Sequence, residues 1–382
     1  MWQTRHSSGR GNNPQAKQGD VEATEKPLKL NGLHRLCGGW HDPCSVNPAM
    51  DRRANGPNGN PGRPLRSDST RDQLFRQQTI RRSTAISGVG IHTGKQTNLR
   101  ILPAPAGTGV RFRRSDAGSV EVRADLKDVS SLELATTLGR DDVTVSTVEH
   151  LLAAVYALGI DNLVVEMDGP EVPILDGSAM PYLLLLQAAG IRRQNADRRI
   201  VAMTSVLEFK RGDKWLRASP YPGLRLDYTI DFPGCAVGRQ RLQMEVDRAS
   251  FERDLAPART FCRQVDVEKM QRAGLGLGGS VDNCIVFDDK GAVNTDLRFV
   301  DEPVRHKALD AVGDFTLLGA PIWGHFEIVR GGHQLHYELL KELVANPQCW
   351  TWMVGEELPP QADLPLDPKQ PSAWAPLLAG PQ

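Results

Sequence analysis

Three ionisable side chains recur at every fourth residue of segment 304–315: His306, Asp310 and Asp314. On a helix that spacing lines them along one face and leaves Val304, Ala308, Leu309 and Val312 for core contacts. One imidazole and one carboxylate on adjacent turns supply half of a zinc site. The same pair could be a surface ion pair worth about a few tenths of a kcal/mol, and Asp314 could belong to a solvated face. A third ligand must come from elsewhere, and His150 is the candidate. Two histidines and an aspartate leave the fourth tetrahedral position for water, as a catalytic zinc requires.

His150 lies in segment 145–159, where Ser146 is followed three residues on by Glu149, then by an apolar stripe and Gly159. That order predicts a helix with Ser146 as its N-cap and Gly159 as its stop. In the first turn the helix dipole disfavours an imidazolium and favours the neutral, metal-binding imidazole. Glu149 has two readings here: a capping-box carboxylate reaching back to the Ser146 amide, or a group free for chemistry. In segment 330–336, Gly331 and Gly332 allow a tight turn before His333, which is a proton donor or a surface residue. Residues 258–261, Ala-Arg-Thr-Phe, are too short to interpret from physics. Residues 274–279 match G-x-G-x-x-G, but a helical pattern precedes them and an extended one follows. A dinucleotide site needs the reverse context, so the segment reads as a flexible glycine loop.

These groups need elements to hold them. Alternation in 110–113, 163–167 and 224–232 predicts strands, and 146–158 and 304–318 carry apolar residues at helical spacing. A helix over 181–189 ends at Gly190, and the polar segment 192–199, with no apolar periodicity except Ala196, reads as a domain boundary. The first 75 residues hold 9 Gly, 7 Pro and 7 Asn, and the first isoleucine is Ile80. Such a stretch buries too little apolar surface to offset its ordering entropy, so it reads as a disordered extension or an over-extended gene start, with Met50 as the candidate true start. It contains His34, Cys37, His41 and Cys44, of types and spacings that could close on zinc, but no apolar residues to form a knuckle core. Residues 357–382 contain seven prolines and read as an irregular tail.

Lysine plus arginine and aspartate plus glutamate both number 46 in 382 residues, which removes the global basic footprint of a nucleic-acid binder. No apolar run approaches the about 20 residues that span a bilayer, and the polar start predicts an unexported, cytoplasmic chain. Six irregularly placed cysteines form no disulfide framework and fit reduced thiols.

Taken together, the blocks resemble the UDP-3-O-acyl-N-acetylglucosamine deacetylases, zinc amidohydrolases of lipid A biosynthesis. They run in one order over residues 77–353: GVGIHTG at 88–94, STVEH at 146–150, GIDN at 159–162, PILDGSA at 173–179, ARTF at 258–261, LGGS at 277–280, RHKALD at 305–310 with Gly313-Asp314, and Gly332-His333. The resemblance implies that His150, His306 and Asp310 hold one zinc, a site iron(II) would also accept, with Glu149 as the base that activates water. It implies that Thr260 and His333 stabilise the oxyanion, that His333 protonates the departing nitrogen, and that Asp314 orients His333. For the substrate it implies Lys214 and Lys307 near the diphosphate and Phe232 near uracil. An insertion over 261–289, with Phe261 and Gly279 as contacts, would form the passage for the 3-hydroxyacyl chain. The implied fold is α+β: domains 76–196 and 197–356, each a two-layer sandwich of a β-sheet with a pair of helices, the active site in the cleft between them. The implied protein is a monomer that releases acetate from its UDP-sugar substrate, binds no nucleic acid and meets the inner leaflet transiently.

Overall fold

A computed structural model describes residues 75–293 and 295–354. The expectations for residues before Phe75 and after Val354 lie outside the described residues. They comprise the extension, its His34, Cys37, His41 and Cys44 pattern, the Met50 start and the proline-rich tail.

The structure is α+β. A five-stranded sheet runs in the order Thr84–Val89, Gln96–Pro103, Leu163–Met167, Val110–Arg114, Val120–Arg123. Helices α1 (Glu149–Ala157) and α2 (Met180–Ala189) pack on each other, and α2 also packs on this sheet. A seven-stranded sheet centres on Ile322–Val329, which pairs with Lys214–Ser219, Leu224–Phe232 and Arg199–Met203. Its central strand buries Ile322, Gly324, Phe326 and Ile328 on one face, the period-2 pattern of a half-buried strand. Helix α3 (Gln264–Arg272) lies in the insertion, and α4 (Glu302–Phe315) packs on strands Leu224–Phe232 and Gly238–Glu245. Helix α5 (His333–Ala345) packs on α4 and on Lys214–Ser219. Helix α1 packs on α4, so one apolar cluster, from Ile80 to Cys349, runs through both layers.

The strands expected at 110–113, 163–167 and 224–232 form, as do helices around 150, 185 and 310. Four local readings change. Segment 192–199 carries a strand, Ile191–Asp197, paired antiparallel with Arg76–Ile80; its polar side chains need no burial because this strand alternates between exposed and half-buried positions. Phe75, assigned to the extension, is buried against Ile200, Ala202 and Met353. The glycine loop is held rather than loose: the amides of Leu277 and Gly278 donate to the carbonyls of His92 and Ile91. The extended pattern over 281–287 shortens to the strand Ile285–Phe287.

Candidate active site

The site forms where the start of α1 meets the middle of α4. A Cβ on Gly313 would stand 2.1 Å from the carbonyl oxygen of Glu149, so only glycine lets the helices approach this closely. That approach brings Glu149 and His150 of α1 to His306, Asp310 and Asp314 of α4, all at most 4% exposed.

The ligating atoms of His150, His306 and Asp310 lie within 4.8 Å of one another. Asp310 Oδ1 is 3.6 Å from His150 Nε2 and 3.3 Å from His306 Nε2, and the two rings stand edge to face at 89°. His306 donates its Nδ1–H to the Ala258 carbonyl at 3.0 Å, which fixes the tautomer and leaves the Nε2 lone pair facing inward. Burial pushes the His306 pKa down to about 3, against the pull of Asp310, so the ring is neutral. Asp310 Oδ2 accepts from Lys307 Nζ at 2.8 Å, whereas the buried Oδ1 has no hydrogen-bond partner among the described residues. Burial alone would raise this carboxyl, but His306 and Lys307 outweigh it and hold the group well below the usual carboxylate range. A buried, ionised oxygen facing two imidazole nitrogens is a donor set that fits a divalent cation of the zinc type.

Glu149 is not a capping carboxylate. Thr147 adopts a left-handed φ of 58°, α1 begins after Val148, and no side chain caps it. The Ser146 hydroxyl instead pairs with Thr137 Oγ1 at 2.8 Å. Glu149 Oε2 accepts from the Thr136 amide at 3.1 Å, and Oε1 lies 3.9 Å from His333 Nε2. Burial pushes Glu149 upward, partly offset by His333 and His150, which suits a proton acceptor.

His333 opens helix α5 rather than sitting on an isolated turn. Its Nδ1 is 2.8 Å from Asp314 Oδ2, while Asp314 Oδ1 accepts from the Thr136 hydroxyl at 2.6 Å. Burial would lower His333, but Asp314, helped by Glu149 and Asp310, lifts it to about 9, so the ring is cationic at neutral pH. Thr136 and His336, which also touch Asp314, were missed by the sequence reading. The i,i+3 spacing of His333 and His336 would have signalled the second, had a helix been read there. His92 was missed too: its buried Nδ1 has no partner among the described residues, and burial lowers its pKa against the pull of Glu171. Buried Glu171 ties this block down by accepting from the amides of His92 and Thr93 and from the Thr147 hydroxyl.

The substrate-type residues divide. Thr260 lies two residues after Ala258, whose carbonyl holds His306, and precedes Phe261, whose ring stands 6.5 Å from that of His306. Phe261 also meets Phe232 edge to face at 5.5 Å, with Lys307 Nζ 5.8 Å above its ring. Lys307 thus reaches inward to Asp310. Lys214 is exposed at a hairpin; its chain neighbour Asp213 pairs with Arg330, which also lies 3.8 Å from Asp231, the residue before Phe232. Gly279 lies in the turn of the glycine loop, its amide donating to the Gly276 carbonyl.

The family model of UDP-3-O-acyl N-acetylglycosamine deacetylase matches residues 77–345. A UDP-3-O-acyl-N-acetylglucosamine deacetylase of Acidithiobacillus ferrooxidans is 42% identical over 284 residues, 73% of this chain and 93% of that protein. One of Brucella melitensis biotype 2 is 46% identical over 273 residues, 71% of this chain and 96% of that protein. The match spans every residue of the buried cluster, and the chain belongs to the UDP-3-O-acyl N-acetylglycosamine deacetylase family.

Proposed function

We propose that the protein hydrolyses the N-acetyl group of UDP-3-O-(3-hydroxyacyl)-N-acetylglucosamine, releasing acetate, as the committed step of lipid A biosynthesis. The observation that carries this reading is the unpartnered Asp310 Oδ1 facing His150 and His306, with Glu149 and a cationic His333 beside it.

His150, His306 and Asp310 would hold zinc, or iron(II), which takes similar ligands. Such an ion supplies Lewis-acid polarisation of the amide carbonyl and acidifies water. Glu149 accepts the proton of the attacking water, and Thr260 and His333 face the developing oxyanion. His333 then protonates the glucosamine nitrogen as the C–N bond breaks, while Asp314 keeps its ring oriented and charged. Lys214 and Lys307 serve the diphosphate as point charges, and Phe232 serves the uracil. Exposed Val265, Leu277 and Val281 on the insertion offer apolar surface to the acyl chain, with Phe261 and Gly279 at its inner end. We take residues 76–196 and 197–356 as two domains, each a sheet with its helix pair, closing on this site. No helix among the described residues is long and apolar enough to cross a membrane. A cytoplasmic monomer that meets the inner leaflet transiently and binds no nucleic acid completes the reading.

The test is acetate release from that substrate by chelator-stripped protein titrated with zinc. Activity returning at about one zinc per chain is the expected result; no turnover at any zinc level, with metal bound, would refute the substrate assignment.

A further inference from the structure

We propose, resting on the deacetylase reading above, that His336 is a positioning residue: a neutral imidazole whose Nδ1–H fixes the Asp314 carboxylate that orients His333. His336 lies one turn beyond His333 on α5 and is fully buried. Its Nδ1 is 2.7 Å from Asp314 Oδ2 and its Nε2 is 2.9 Å from the Tyr228 hydroxyl. Burial raises the Tyr228 phenol well above its ordinary pKa, so the hydroxyl keeps its proton and donates it to Nε2. Nε2 is therefore the acceptor, and the ring proton sits on Nδ1, aimed at Asp314.

Tyr228 is itself held in place. It lies on strand Leu224–Phe232, and a Cβ on Gly331 would stand 2.5 Å from its hydroxyl, so the backbone packs directly over that group. The His336 ring meets Phe315 edge to face at 6.0 Å, which leaves little rotational freedom. Asp314 thus receives three donors: the Thr136 hydroxyl on Oδ1, and the Nδ1 atoms of His333 and His336 on Oδ2. Without His336, Oδ2 keeps only the partner it is meant to orient, and the carboxylate is free to turn about the Thr136 bond. His336 hydrogen-bonds to Asp314 and Tyr228 and stands edge to face with the His333 ring at 6.3 Å, so its hydrogen-bonded route to His333 runs through Asp314.

The hydrogen-bonding role separates from space filling by where a substitute places its donor. His336→Asn sets an amide nitrogen near the ring Nδ1 position, His336→Gln reaches only the Nε2 position beside Tyr228, and His336→Leu fills the space without a donor. In the full-length, metal-loaded protein, the Gln and Leu variants should lose about ten-fold or more in kcat, with KM and metal content unchanged. The Asn variant should return to within about three-fold of the parent. Equal kcat in all three, or an Asn loss as large as that of Leu, overturns the proposal. Should the Leu variant fail to fold, the Asn and Gln pair decides. A parent protein that releases no acetate refutes the functional reading instead. The low-field proton signal of His333 Nδ1–H, assigned by its absence in His333→Ala, then decides: loss in Gln but not Asn supports the positioning role, and retention in both overturns it.

Discussion

Glu149 and His333 face each other across 3.9 Å with opposite protonation demands, set by burial at Glu149 and by Asp314, against burial, at His333. Desolvation pushes Glu149 up, so it takes a proton readily, while the ionised Asp314 lifts His333 to about 9 despite burial. Glu149→Gln keeps the side-chain volume and leaves the three metal-type ligands in place. It should retain metal and lose about 10²- to 10⁴-fold in kcat, and near-normal turnover would assign the proton to another group. His306→Ala should lose the metal itself on dialysis, read by elemental analysis. The pH profile follows from His333. Its raised pKa keeps the acid form present at neutral pH, so the rate should fall as pH rises through about 9. The same shift stabilises the fold fully below the ordinary value of 6.5, and that contribution is lost as pH passes about 9. A basic limb unchanged in His333→Ala would remove this residue as the acid.

Two helices set this geometry, and their contact hangs on one missing methyl group. Gly313→Ala would gain about 1 kcal/mol of helix propensity but drive a Cβ to 2.1 Å from the Glu149 carbonyl oxygen. Overpacking of backbone costs about 1–3 kcal/mol, so the net effect should be a lower melting temperature together with a fall in kcat as α1 moves off α4. A variant with parental Tm and kcat would show that the helices have slack. The start of α1 shows where element-level reading failed. Ser146 and Glu149 have capping-box spacing, yet Thr147 turns left-handed and its hydroxyl is taken by Glu171, 24 residues away. A buried carboxylate fixed elsewhere in the fold overrides the local preference of the helix start.

At the scale of the molecule, both sheets share one apolar core, and a second small cluster closes beneath it around Phe75. Phe75→Ala should cost about 3 kcal/mol in thermal or denaturant unfolding. A chain that begins at Phe75 should keep its turnover, because the family match begins at 77 and every site residue lies beyond it. A large activity loss on that truncation would assign a role to residues 1–74.

The sequence by itself determined that strands and helices interleave, the helix stripe of His306, Asp310 and Asp314, and the elements near 110, 163, 185 and 224, because periodicity is a local property written in consecutive residues. It carried the family in colinear blocks. Local spacing did not determine that His150 meets His306 and Asp310, which the resemblance alone implied, that Glu149 leaves its cap, or that Thr136, His336 and Tyr228 close around Asp314 and His333. Those contacts join residues separated by 13 to 197 positions. Only the close crossing of α1 and α4, with α5 packed beside it, buries their polar groups together and forces each to find its partner there.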